Sequence, residues 1–252
     1  MRELSHVSLP IAIVGAAIGH VLASVVVARR RGTSLDTSPS VAFVIGLVVV
    51  AAVVMGPLDV GAEQRLSWHM VQHLGLISVA APLLALGHPI RLATQLLGFA
   101  SRRARQPDSV AAGGGAVFSL TVLFTWHIPT LYQLALRNEL VHGVEHITLL
   151  GSAMLLWSAL LQGRNLGAGV LWLYFITLPM TALGVAITIA RTPWYWTYVH
   201  GNVGAAVRDQ QLAGVIMWGF GGLVAVVSAV ALFATWLMRL DAAPRPDVRG
   251  LS

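Results

Sequence analysis

Two stretches of the chain hold histidines four residues apart inside apolar runs. His69 and His73 lie in "WHMVQHLGLI", and His142 and His146 lie in "VHGVEHITLL", with Glu145 beside them. On an α-helix a spacing of four puts both side chains on one face, about 6 Å apart along the axis. Imidazole suits zinc, copper, iron and nickel, and thioether sulfur favours Cu(I). Cysteine is absent, which excludes disulfides, thiolate zinc sites and cysteine-based copper transfer. Any metal must rest on His, Met, carboxylate or backbone. The H-E-x-x-H pattern does not occur, so a zinc protease is unsupported.

The elements that carry these residues are membrane spans. Of 252 residues, 56% are hydrophobic and 10% charged, far from the roughly 25% charged residues of a soluble domain. Crossing about 30 Å of hydrocarbon takes roughly 20 residues, and seven runs qualify: 7–28, 40–58, 66–87, 110–129, 139–161, 168–190 and 209–238. The first is too long for a signal-peptide core, and "ARRR" follows it in place of a cleavage site, so it reads as a retained anchor. The predicted fold is therefore an all-α integral membrane protein. It comprises one seven-helix domain over 1–240 and a short, disordered cytoplasmic tail over 241–252.

All 16 basic residues are Arg, and the formal charge is +6. That charge does not indicate nucleic acid, because the arginines cluster between apolar runs, where they meet lipid headgroups and set topology. Arg29, Arg30, Arg31, Arg91, Arg102, Arg103, Arg105, Arg164, Arg239, Arg245 and Arg249 fall on one side. Arg2, Arg65, Arg137, Arg191 and Arg208 fall on the other. The positive-inside rule then places the N-terminus outside and the C-terminus in the cytoplasm. The segment after His88, apolar residues interleaved with Arg, is expected to lie along the inner headgroups.

With that topology His69, His73, His127, His142 and His146 share one depth near the outer surface. Taken singly, each histidine could simply reach water or headgroups. As a group they point to a metal or haem site, since ionisable residues within spans face the bundle interior and mark function. Haem is the alternative to a bare ion, with one axial His from each pair. Glu145 is expected to orient an imidazole or to ligate; Gln72, Asp209, Gln210 and Met217 are supporting candidates at or near the same level. His20 reads as a hydrogen-bonded interior residue, His88 as a cytoplasmic loop residue and His6 as a solvated terminal one. Gly219, Gly221 and Gly222 predict close helix contact, and "TPWYWTY" from Thr192 an outer aromatic belt. Pro82, Pro129 and Pro179 are expected to bend or end spans.

The segments "SWHMVQHLGLISVAAPLLALGHP", "WHIPTLYQLALRNELVHGVEHITLLGSAMLLW" and "RDQQLAGVIMWGFGG", in this order and spacing, resemble the multi-spanning CtaG family of cytochrome c oxidase assembly factors. Residues His69, Gln72, His73, Trp126, His127, Pro129, His142, Glu145, His146, Asp209 and Gln210 fall on that family's pattern. The resemblance implies a seven-span protein of the bacterial plasma membrane that helps mature a haem-copper oxidase, with copper handling as the expected contribution. The function expected on this ground is a non-enzymatic assembly factor. Its His cluster would bind one or two copper ions at the outer face, with oxidase subunits, the lipid bilayer and a periplasmic or extracellular copper carrier as partners. A haem-binding or metal-dependent redox protein and a copper transporter are the alternatives.

Overall fold

A computed structural model describes residues 2–98, 108–162 and 166–241, with side chains over 9–98, 111–161 and 166–240. Arg102, Arg103, Arg105, Arg164, Arg245, Arg249 and the tail beyond 241 lie outside the described residues, as does the His6 side chain. Among the described residues there is no strand. Eleven α-helices follow in order: α1 Arg2–Arg31, α2 Ser38–Val54, α3 Pro57–Gln64, α4 Leu66–Leu74, α5 Ala81–Leu86, α6 Pro89–Leu96, α7 Asp108–Trp126, α8 Pro129–Arg137, α9 Glu139–Gln162, α10 Leu166–Ile189 and α11 Val203–Asp241.

Five stretches are long and apolar enough to cross a membrane: Leu9–Arg31, Leu66–Leu96, Glu139–Leu161, Leu166–Ile189 and Val203–Leu240. The number rises to seven if each of two bent pairs is one span, α2 with α3 at 44° and α7 with α8 at 73°. The second and fourth expected spans are these bent pairs. Helix α3 begins at Pro57, which cannot continue α2, and α8 begins at Pro129, as residue 129 was expected to end a span. Neither short helix was expected, and both close over the histidine end of the bundle.

The third span is not a uniform helix. Between α4 and α5 the backbone widens into a π-helix over Gly75–Ala80. Pro82 has no N–H to offer the Ser78 carbonyl, and its ring crowds that group; widening the turn relieves the crowding. The Trp157 indole N–H bonds the Ile77 carbonyl at 2.9 Å, supplying a donor from α9.

Close packing of α10 on α11 rests on glycines other than those expected. A Cβ on Gly214 would lie 2.6 Å from the Gly184 carbonyl oxygen, so the two backbones touch where only Gly fits. Of the "WGFGG" glycines, Gly221 abuts Met180, while Gly219 and Gly222 meet nothing. At the arginine end, the buried His20 donates through Nε2 to the Gly87 carbonyl at 2.9 Å and stacks on Phe43, the interior role expected of it. His88 there takes a left-handed turn before Pro89, with φ of 52°.

Candidate metal centre

Helix α4 is capped from another helix. Its second residue, Ser67, has a backbone N–H with no partner inside the helix. The Asp209 carboxylate of α11 accepts that N–H at 3.3 Å and the Ser67 hydroxyl at 2.5 Å. An anion at a helix N-terminus is favourable, and here it fixes the helix that carries His69 and His73. Gln72 makes a second tie: its Nε2 donates to the Val53 carbonyl at 2.7 Å, near the C-terminus of α2, and to Asp59 Oδ1 of α3 at 2.8 Å. The α2–α3 break is thereby held onto α4.

Opposite stands α9, whose residues His142, Glu145 and His146 share a face. The four paired imidazoles meet the Glu145 carboxylate between these two helices. His69 Nε2 and His73 Nε2 are 2.8 Å apart. Glu145 Oε1 lies 3.5 Å from His73 Nε2, and Oε2 lies 3.9 Å from His69 Nε2. Ring centroids are 5.3 Å apart for His69 and His142, 5.6 Å for His73 and His146, and 4.2 Å for His142 and His146. His69 and Glu145 have no solvent exposure, and His73 has 3%.

Two groups here have ligand atoms within 4.8 Å of one another: His69 with His73 and His146, and His69 with His142 and Glu145. Tetrahedral coordination at metal–nitrogen distances of about 2.0–2.1 Å sets ligand nitrogens about 3.3 Å apart, so either group needs only small side-chain shifts to close on an ion. Both Glu145 oxygens, His142 Nε2 and His146 Nε2 are buried and make no hydrogen bond with the protein. Buried polar atoms are normally satisfied; five ligand-type side chains converge here, three of which, His142, Glu145 and His146, have unmet polar atoms, and that arrangement fits a cation.

His69 is held in the tautomer that a ligand needs. The Tyr198 hydroxyl donates its single proton to the Ala62 carbonyl at 3.0 Å, and lies 3.1 Å from His69 Nδ1. Having donated, it can only accept from the imidazole, so Nδ1 carries the proton and Nε2 presents a lone pair to the cluster. Burial pushes the Tyr198 phenol well above its ordinary range, so it stays a hydroxyl. The carbonyl it serves is one that the short α3 leaves without a helical partner.

Tyr198 sits on the α10–α11 connection, and Gln210 pins that connection by accepting from Trp194 N–H at 2.7 Å and donating to the Thr192 carbonyl at 3.2 Å. The expected outer aromatic belt is therefore only partly one. Trp196 is exposed, whereas Tyr195 and Tyr198 turn inward because their hydroxyls have buried carbonyls to satisfy. Tyr132 of α8 fills the space between, with its ring 5.0 Å from His69 and 4.2 Å from Tyr195. Tyr198 was expected only as part of that belt, and Tyr132 was not singled out in the sequence, since an aromatic residue carries no spacing signal there.

His127 is not part of either ligand group. Its Nδ1 donates to the Leu123 carbonyl at 2.7 Å, and its ring is 6.4 Å from Tyr132, which stands between it and His69. The backbone bend at α7–α8 turns it aside. Met217 is buried among Leu66, Met70 and Tyr132, packed as core. Asp209, Gln210 and Gln72 hold helices and loops in place, as described above.

The molecule is thus a polytopic helical membrane protein with a buried histidine–carboxylate cluster near one end of its bundle. Over residues 21–239 it matches the cytochrome c oxidase caa3 assembly factor family (Caa3_CtaG), and it belongs to that family. No curated protein and no solved structure matches the chain.

Proposed function

We propose that this assembly factor handles copper for the oxidase it serves, binding one Cu ion as cargo through His69, His73, His142, His146 and Glu145. The observation that carries this reading is the convergence of five ligand-type side chains, with Nε2 of His69 preset by Tyr198 and the ligand atoms of His142, Glu145 and His146 buried. Both ligand groups use His69, so they are alternative positions for a single ion. His142 and Glu145 would receive it, and His73 and His146 would hold it deeper. The protein makes and breaks no substrate bond in this scheme, and the oxidase subunit that takes the ion acts as partner. Arginine asymmetry supports placing the cluster at the outer face of the bacterial plasma membrane, within reach of an external copper carrier.

Haem has less support, because the four imidazoles pack directly against one another at ring separations of 4.2–6.3 Å, and a macrocycle would have to part them. Transport across the membrane has less support as well: below the cluster the bundle closes on apolar clusters.

The test is metal analysis of the detergent-purified protein after exposure to Cu(I), with an optical spectrum. One copper per chain and no Soret band are expected. In cells, His73→Ala and His146→Ala should leave the protein in the membrane and lower active oxidase, with partial rescue by added copper. Stoichiometric haem, or copper binding unchanged in both variants, would refute the copper reading.

A further inference from the structure

At the end of the bundle opposite the histidines, a cavity of about 210 Å³ opens between the C-terminus of α1, the 32–37 connection, the start of α2 and helix α6. Two guanidiniums define it. With the Gln95 amide turned so that its oxygen faces them, that oxygen accepts from Arg31 at 3.2 Å and from Arg91 Nε at 3.0 Å. Two cations thus converge on one neutral acceptor, and among the described residues neither has an ion-pair partner. Asp36 also lines the cavity, but its Oδ1 is engaged by the Ser38 backbone N–H at 3.0 Å, and one carboxylate does not balance two arginines. Ser24, Thr33 and Ser34 add hydroxyls, and Val27, Leu35 and Leu92 form apolar walls.

The walls are fixed. Arg30 donates to the Leu96 carbonyl at 3.3 Å, tying α1 to the far end of α6, and His20 holds the Gly87 turn. Alongside, α1 exposes Ile18, Leu22 and Val26, an apolar strip leading away from the guanidiniums toward the middle of the span.

From this arrangement we propose that the cavity is a binding site for the headgroup of an anionic phospholipid. Its phosphodiester lies between Arg31 and Arg91, and its acyl chains run along the exposed face of α1. Planar guanidiniums match phosphate oxygens in paired hydrogen bonds, and basic pockets between spans at the arginine-rich side are suited to anionic headgroups. A zwitterionic headgroup would bring its own cation to a site that already has two. The site is independent of the metal centre, and copper binding does not enter its test.

The protein, delipidated in detergent, is titrated with phosphatidylglycerol or phosphatidylcholine, and bound lipid is read by native mass spectrometry. One phosphatidylglycerol per chain is expected, held at least tenfold more tightly than phosphatidylcholine. Arg31→Gln with Arg91→Gln should remove that preference, and Arg239→Gln, elsewhere in the chain, should keep it. A photoactivatable phosphatidylglycerol on the native protein should label residues 24–36 and 87–95, a readout that does not depend on how the variant folds. Equal retention of both lipids, an unchanged double variant, or labelling elsewhere would overturn the site. Displacement of the lipid by millimolar inorganic phosphate alone would overturn the membrane lipid as its ligand.

Discussion

Tyr198→Phe isolates one atom of the metal centre. The ring stays, so packing against Tyr132 is kept, and the hydroxyl that both caps α3 at Ala62 and fixes the His69 tautomer is lost. Two costs follow. Leaving the Ala62 carbonyl without its donor should lower stability by about 1–3 kcal/mol. Freeing His69 Nδ1 should weaken metal binding about ten- to a hundredfold, the usual effect of removing a partner that orients a ligand, which is about 1.4–2.7 kcal/mol. The two costs are similar in size, so a matched control is needed, and Tyr195 provides it. Its hydroxyl donates to the His127 carbonyl at 3.1 Å and touches no imidazole of the cluster. Tyr195→Phe should therefore cost similar stability and leave metal affinity within about twofold of the native value, a threshold set well below the effect expected of an orienting partner. Copper affinity is measured by competition against a chromogenic chelator, and stability by thermal unfolding of the solubilised protein. If the two variants lose affinity equally, or if neither does, the tautomer argument is wrong.

Three further outcomes are expected. His73→Ala and His146→Ala should each lower copper affinity at least tenfold while His127→Ala changes it little, since His127 is outside both ligand groups; chelator competition reads all three. Saturating titration should stop at one ion per chain, because both groups need His69; two ions by mass spectrometry would break that expectation. Gly214→Leu should destabilise the α10–α11 pair by about 1–3 kcal/mol or more through overpacking against the Gly184 backbone, seen as a lower unfolding midpoint, whereas Gly219→Leu, with open space around it, should be tolerated.

The paired histidines were legible in the sequence because a spacing of four on an apolar helix is a physical constraint, and His69, His73, His142 and His146 do converge with Glu145. His127 was expected among them on depth alone. Depth does not give azimuth, and the 73° bend between α7 and α8 turns it away. The first, third, fifth, sixth and seventh expected spans fall on helices long and apolar enough to cross a membrane, whereas the second and fourth fall on bent pairs whose breaks a sliding view of apolar content smooths over. Tyr198 was read only as part of an aromatic belt because its actual role depends on a carbonyl 136 residues away, and no local pattern encodes such a pairing. The glycines that admit α11 to α10 were misassigned for a related reason. Sequence shows where small residues lie, but which of them face the neighbouring helix depends on the rotation of both helices.

The π-helix after His73 has a consequence for how the third span tolerates change in length. A π-turn accommodates one residue more than an α-turn, so the segment Gly75–Ala80 works as a phase shifter between two halves of one rod. The half above it aims His69 and His73 at α9, while Leu76 and Ala80 of the segment itself and Leu84 of the half below pack against Phe43 and Leu47 of α2. Each residue of an α-helix turns the rod by about 100°. Deleting one residue within 75–80 would remove that extra residue and leave a regular α-helix with both halves keeping their aim, whereas deleting one residue from α4 or α5 would turn the halves against each other by about 100°: either the histidines leave the cluster or the lower face leaves α2. Tolerance to a single-residue deletion along the third span should therefore be highest at the phase shift, although Leu76 and Ala80 there are buried.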